Sequence, residues 1–108
     1  MFQVTGWRNG PEGPDVFYGL RVRLADRQRF FRHGWTNVRL HLPGHGDALI
    51  PLSPSFWRSC PELRSEHIGR WLRAIGAAPW RPHRPPRFWL QPAGDATFHV
   101  AAQEIVVS

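Results

Sequence analysis

The chain contains no lysine; all fourteen of its basic side chains are arginine. A compact, strongly hydrated ammonium is therefore excluded from any role, and every cation offers instead a planar fork of donors that fits phosphate or carboxylate and stacks on aromatic faces. Asn and Ile are also scarce beside Ala, Gly and Pro. A GC-rich coding sequence produces the same bias, so the missing lysine has a genomic explanation alongside a functional one.

Cysteine is nearly absent as well. With Cys60 alone, an intramolecular disulfide and a Cys-x-x-Cys zinc site are both excluded, which points to a reducing compartment, the cytoplasm. No apolar run approaches the ~20 residues of a membrane span. The first eight residues lack the basic start and apolar core of a signal peptide, so neither export nor anchoring is expected. Internal repeats and long low-complexity tracts are missing.

Signatures of catalysis are missing too. Ser53, Ser55 and Ser59 have no nucleophile-elbow context, and Asp15, Asp26, Asp47 and Asp95 fall in turns or caps rather than as paired carboxylates. His33, His41 and His45 with Asp47 do not have the spacing of a known metal site. Cys60 with His67 reads as a small buried thiol before a proline rather than a nucleophile and its base. No metal and no cofactor is expected.

What the sequence does have is 108 residues, 42% of them hydrophobic, six tryptophans and a formal charge of +6. That is enough for one compact domain over 1–108 with its own core. The charge favours an acidic partner, either nucleic acid or an acidic protein.

Val16 to Leu24 alternates with period two, which predicts a half-buried strand with Val16, Tyr18, Leu20, Val22 and Leu24 on one face. Asp26 is placed to cap a short helix carrying Phe30 and Phe31, with Gly34 ending it. Asn37 to Leu42 alternates again, with Val38, Leu40 and Leu42 inward. The turn at Pro43 to Asp47 leads into Ala48 to Leu52, where Pro51 marks an edge strand. Ser53 and Ser55 start a short helical turn through Phe56 and Trp57 that stops near Pro61.

Ser65 caps a better helix, in which Ile68, Trp71, Leu72 and Ile75 follow helical spacing and Gly76 terminates. Pro79 to Pro86 is expected to be an extended polyproline connector. Arg87 to Gln91 and Thr97 to Ala101 form strands joined by a turn at Pro92 to Asp95. Met1 to Trp7 and Gln103 to Val107 are expected as a first and a last strand. The class is α+β: a small, mostly antiparallel curled sheet or partly open β-barrel with two or three short helices.

The outward strand positions carry the functional expectation. Arg21 and Arg23, Arg39 and His41, Arg87 and Trp89, and His99 would share one basic face if their strands are neighbours, tracking phosphates while Trp89 stacks on a base. Arg81 and Arg84 in the connector would act as an auxiliary clamp; its Pro82 to Pro85 spacing also matches a polyproline ligand. The plainer reading is a solvated face whose arginines pair with Asp26, Glu62 or Glu66. On the Ser65 helix, Arg70 and Arg73 face away from the apolar stripe, with Glu66 placed to pair with Arg70.

The expected function is a small, non-enzymatic nucleic-acid-binding module. One alternative is an accessory subunit that meets an acidic partner through the same face, with exposed tryptophans as anchors. Another is a small toxin-type ribonuclease, for which His41 and His99 are the only plausible acid–base pair.

Overall fold

Period-two alternation becomes, in three dimensions, an inner and an outer side of one sheet. The computed structural model describes residues 1–101. Its elements are β1 (Phe2–Arg8), β2 (Tyr18–Val22), α1 (Leu24–Phe30), β3 (Asn37–Leu42) and β4 (Gly46–Pro51), followed by α2 (Pro54–Arg58), β5 (Glu62–Arg64), α3 (Glu66–Ala74), β6 (Arg87–Pro92) and β7 (Thr97–Ala101). The seven strands lie in the order β4-β3-β7-β6-β1-β2-β5. Every neighbouring pair is antiparallel except β3 with β7, which is parallel. The end strands β4 and β5 approach one another, so the sheet curls into a nearly closed barrel. This is an α+β domain, and among the described residues no helix is long and apolar enough to cross a membrane.

The inward residues are those that the alternation selects. Val4, Leu20, Val38, Leu40, Ile50 and Phe88 are fully buried. Helical elements close both ends of β3. Near its start, Phe31 stacks on Phe98 at 4.9 Å and meets Phe56 of α2 at 5.2 Å. Beyond its end, the Trp71 indole of α3 donates to Pro43 O at 3.0 Å while its ring packs on Phe88 at 4.9 Å. Ser65 caps α3 by accepting from the His67 amide at 3.1 Å, as its sequence position requires.

Several expectations are corrected. α1 begins at Leu24 with Arg23 as its cap, and Asp26 sits in the first turn, where its charge favours the helix dipole. Phe31 is already extended, so Gly34 does not end the helix; drawing Phe31 into the core takes precedence. Leu24 and Ile75 are exposed rather than core, because each lies at a helix end where the buried stripe has rotated away. Glu62–Arg64, which follows directly on a proline, forms a short strand against β2. The expected strand over Gln103 to Val107 lies outside the described residues.

The connector is not a continuous polyproline helix. His83 has φ of 64° and the Arg84 amide donates to Arg81 O at 3.0 Å. A proline at the second position and positive φ at the third are the marks of a type II turn, here at Pro82 and His83. The Pro82 to Pro85 spacing is thereby bent out of the extended form a polyproline ligand needs. Past the turn, Gly6 N donates to Pro86 O at 2.7 Å, extending the β1–β6 pairing. A Cβ on Gly6 would stand 2.8 Å from the Pro86 ring and 3.2 Å from Trp80, so the absent side chain permits this close approach.

Trp80 itself is half-buried against Tyr18, 5.1 Å between centroids. Arg8 lies 5.4 Å over the Trp80 ring and donates to its carbonyl at 3.1 Å. Glu12 joins this cluster by accepting from both Tyr18 and Arg8. Burial disfavours the Glu12 carboxylate, but the bonds from Tyr18 and Arg8 and the Arg8 charge outweigh it and hold its pKa below the ordinary value. Burial, then the Glu12 bond and charge, push the Tyr18 hydroxyl above its ordinary value.

Two stability predictions follow from this packing. Gly19 sits where an added Cβ would stand 2.5 Å from Leu63 O. Gly19→Ala should therefore cost about 1–3 kcal/mol, seen as a melting temperature lower by about 4–8 °C per kcal/mol; an unchanged melt would mean that β2 and β5 are not in contact. The Glu12 contribution is complete above about pH 4.3 and is lost as pH falls through its lower folded value; that of Tyr18 is complete below about pH 10 and is lost as pH rises through its higher one. Thermal melts against pH should show Glu12→Gln flattening the acid limb and Tyr18→Phe the alkaline limb.

Candidate nucleic-acid interface

The register of the sheet sets out the outer face row by row. One row crosses Asp47, His41, His99 and Gln91. A second crosses Ala101, Trp89 and Gln3, and a third crosses Arg87, Thr5, Arg21 and Glu62. Arg39 stands beside Thr97, two residues before His41 on the same face. The strands bearing Arg39, His41, His99, Trp89, Arg87 and Arg21 are thus consecutive once β1 is counted between β6 and β2. Arg23 follows directly on β2 and reaches Gln3 Oε1 at 3.5 Å.

Charge on this face is only partly neutralised. Asp47 takes the His41 ring at 2.8 Å and Arg39 at 3.8 Å. Glu62 takes Arg64 at 3.1 Å and Arg21 at 3.8 Å. Arg87 has no carboxylate partner among the described residues, and Trp89 is 39% exposed. A groove of about 460 Å³ runs beside Thr5, Arg21 and Arg23 toward Cys60. Arg81 and Arg84 are exposed on either side of the connector turn, joined to the face only through the chain leading into Arg87.

Sequence reasoning places the cations and names Glu62 among their partners, but leaves out Gln3, Thr5 and the pairing of Asp47 with His41. Gln3 and Thr5 share the face because β1 alternates with Phe2 and Val4 inward, a signal present in the sequence. The sequence reading gives Asp47 a place in a turn and beside three histidines without pairing it to His41, although its position across a tight hairpin from His41 follows from the hairpin register. Glu62 is one of the acids expected to pair with these arginines, and it does so with Arg21; its place on a strand carries no sequence signal, since a three-residue strand is too short for alternation to be visible.

The remaining polar clusters lie off this face. His45 Nε2 and His67 Nδ1 stand 3.4 Å apart where the β3–β4 turn meets α3, and His33 stacks on Trp57 at 4.5 Å. Arg70 pairs with Glu66 at 3.4 Å, and Arg73 lies over the Tyr18 ring. Among the described residues no three His, Cys, Asp or Glu side chains gather as a metal site would need.

Glu62 makes two of the face's arginines structural as well as available. Its side chain is 4% exposed, and a buried carboxylate that loses its partner costs about 1–3 kcal/mol or more. Arg64→Met should destabilise by that amount, because Arg64 is the closer partner and also covers Trp7 at 4.5 Å. Arg21→Met, whose partner is farther away and whose own side chain is 57% exposed, should cost less than about 1 kcal/mol. Urea melts of both variants check this order, and the reverse order would contradict it. No protein-family model matches the chain, and neither does any curated protein or solved structure, so what the molecule does is read from this face alone.

Proposed function

We propose that the protein binds nucleic acid along the outer face of its sheet, with Trp89 as a stacking platform and arginines as phosphate contacts. One observation carries this reading: a half-exposed tryptophan in the middle of a face whose four arginines, Arg21, Arg23, Arg39 and Arg87, stand against two acids, Asp47 and the buried Glu62. A base laid on an aromatic ring gains about 1–3 kcal/mol whatever its identity. Phosphates on either side of the ring would meet Arg87 and Arg23 on one flank and Arg39, His41 and His99 on the other. Arg81 and Arg84 would extend the track beyond Arg87.

The partner class follows from exposure and spacing rather than from net charge. Arg39, Arg87 and Arg21 lie on alternate strands of the sheet, with β7 and β1 between them, so at a strand spacing of about 4.8 Å they are set roughly two strand widths apart across the face, and planar guanidinium groups suit phosphate oxygens. We place the protein in the cytoplasm, where a single unpaired cysteine is stable and nucleic acid is present.

Tryptophan fluorescence titration with single- and double-stranded oligonucleotides at two salt concentrations tests the reading. For a single strand, the slope of log affinity against log salt is about −0.7 per phosphate contact. Arg23→Gln with Arg87→Gln should remove two contacts and flatten the slope by about 1.4. Neither residue is tied to a carboxylate among the described residues, so thermal stability should hold. Trp89→Ala should weaken binding about 5- to 150-fold. Affinity that ignores both salt and Trp89 would discard the proposal in favour of a protein partner.

A further inference from the structure

We infer that this face also cuts RNA by general acid–base catalysis, with His41 as the base and His99 as the acid, the substrate being a single strand that carries 2′-hydroxyl groups. The inference rests on the nucleic-acid reading of the same face. Its observation is separate: the parallel pairing of β3 with β7 puts His41 and His99 opposite each other, ring centroids 5.0 Å apart. On its other side, His41 Nδ1 lies 2.8 Å from Asp47 Oδ1.

Each part has a defined task. A carboxylate beside Nδ1 accepts that proton, fixes the ring orientation and leaves the Nε2 lone pair to act as base. Asp47 is accordingly a positioning residue. His99 has no such partner among the described residues and stays free to turn toward a leaving group. Arg39, 3.8 Å from Asp47 Oδ2 and one outward position from His41, supplies positive charge where a phosphate laid across the outer edges of the two rings would gain negative charge. Trp89 lies on the diagonal from His99 across β6 and β7, because its register partner is Ala101. Side chains so related are about 7–8 Å apart by backbone spacing, within reach of an aromatic ring. A base stacked on Trp89 thereby brings its own phosphate toward the histidine pair.

The step is complete in atoms and electrons. His41 Nε2 takes the 2′-hydroxyl proton as the 2′-oxygen forms a bond to the adjacent phosphorus. The bond from phosphorus to the 5′-oxygen breaks, and that oxygen takes its proton from protonated His99. The products are a 2′,3′-cyclic phosphate end and a 5′-hydroxyl end, and exchange with water returns both histidines to their starting forms. DNA, which lacks the attacking oxygen, binds and is not cut.

The test compares an end-labelled single-stranded RNA with the DNA of the same sequence, using the whole chain and its His41→Asn and His99→Asn variants. All three side chains of the constellation are about half exposed or lie on the exposed face, so the variants should melt like the parent. Wild-type protein should cut RNA to cyclic-phosphate ends, and each variant should lose about 10²- to 10⁴-fold in the rate of cleavage of bound RNA. The charged groups facing the pair are Asp47 on β4, Arg39 on β3 and the two imidazoles themselves. In that setting kcat/KM should be bell-shaped against pH, with His41→Asn removing the acid limb and His99→Asn the alkaline one.

Asp47→Asn should lower kcat and leave KM; a change in KM alone would reduce Asp47 to a surface ion pair and overturn its positioning role. RNA that binds but stays whole overturns the catalytic inference and leaves the binding proposal standing. RNA that neither binds nor breaks overturns both. Cleavage that persists at the parent rate in both histidine variants, or that extends to DNA, overturns this mechanism.

Discussion

Arg39 with Thr97, Leu40 with Phe98 and His41 with His99 are the pairs that join β3 to β7. Among the described strands this is the one parallel junction, and it ties the β3–β4 hairpin to the β6–β7 hairpin across α2, β5, α3 and the connector. Leu40 and Phe98 are both buried, and a slip of one residue between the two strands would turn the inward side chains of one of them outward. Burying two large apolar side chains is worth roughly 3–6 kcal/mol, far more than any polar contact on the outer side. Inner packing therefore fixes the register, and the register is what sets His41 beside His99 and Arg39 beside Thr97. The same junction lets the sheet curl until β4 and β5 approach.

Arginine without lysine has a structural meaning here that precedes any partner. Arg64 lies over Trp7, Arg73 over Tyr18, Arg8 over Trp80 and Arg29 over Phe30, at 4.5 to 5.4 Å. A flat guanidinium covers an aromatic ring while still donating sideways, as Arg8 does to Glu12 and to the Trp80 carbonyl. Each such contact is worth about 0.5–1 kcal/mol at an exposed site. Arg27 goes further and enters the interior, donating to Phe56 O at 2.8 Å. Much of the arginine richness thus serves to seal a barrel whose surface is unusually aromatic. Arg23 and Arg87 have neither a carboxylate nor a ring to cover among the described residues, which makes them the informative positions.

The strands were legible because alternation is a local property and the core reads it directly. Val38, Leu40 and Leu42 alternate with Arg39 and His41 in the sequence as in the sheet, and the turns at Gly44 and Gly94 sit where positive φ is needed. Element ends were less legible, since Phe31 leaves its helix early to fill space between Phe98 and Phe56, a demand that comes from residues far away in sequence. The connector was misread because proline restricts itself and its predecessor but leaves His83, which precedes Arg84, free to turn. For the candidate face, alternation makes the outward orientation of Arg21, Arg39, His41, Arg87, Trp89 and His99 readable, while their order across the sheet is not. Strand adjacency depends on non-local pairing, and nothing local in β3 announces a parallel partner in β7.

A barrel built this way separates two tasks that often compete. The inner residues carry nearly all of the packing energy, so the outer residues can be chosen for chemistry at small cost, and His41, His99, Trp89 and Arg87 can be exchanged without opening a cavity. The separation fails at one place. Glu62 is buried beneath Arg21 and Arg64, so at that end of the face charge and stability are coupled, whereas at the β3–β7 end Asp47 is half exposed and its pairs with His41 and Arg39 remain solvated. Solvated pairs contribute little to folding, and an ion pair that the fold does not need is free to open and reform around a ligand. The end of the face that can change partners at small cost is therefore the one that carries the two histidines, and the end that cannot anchors the strands that hold the rest in place.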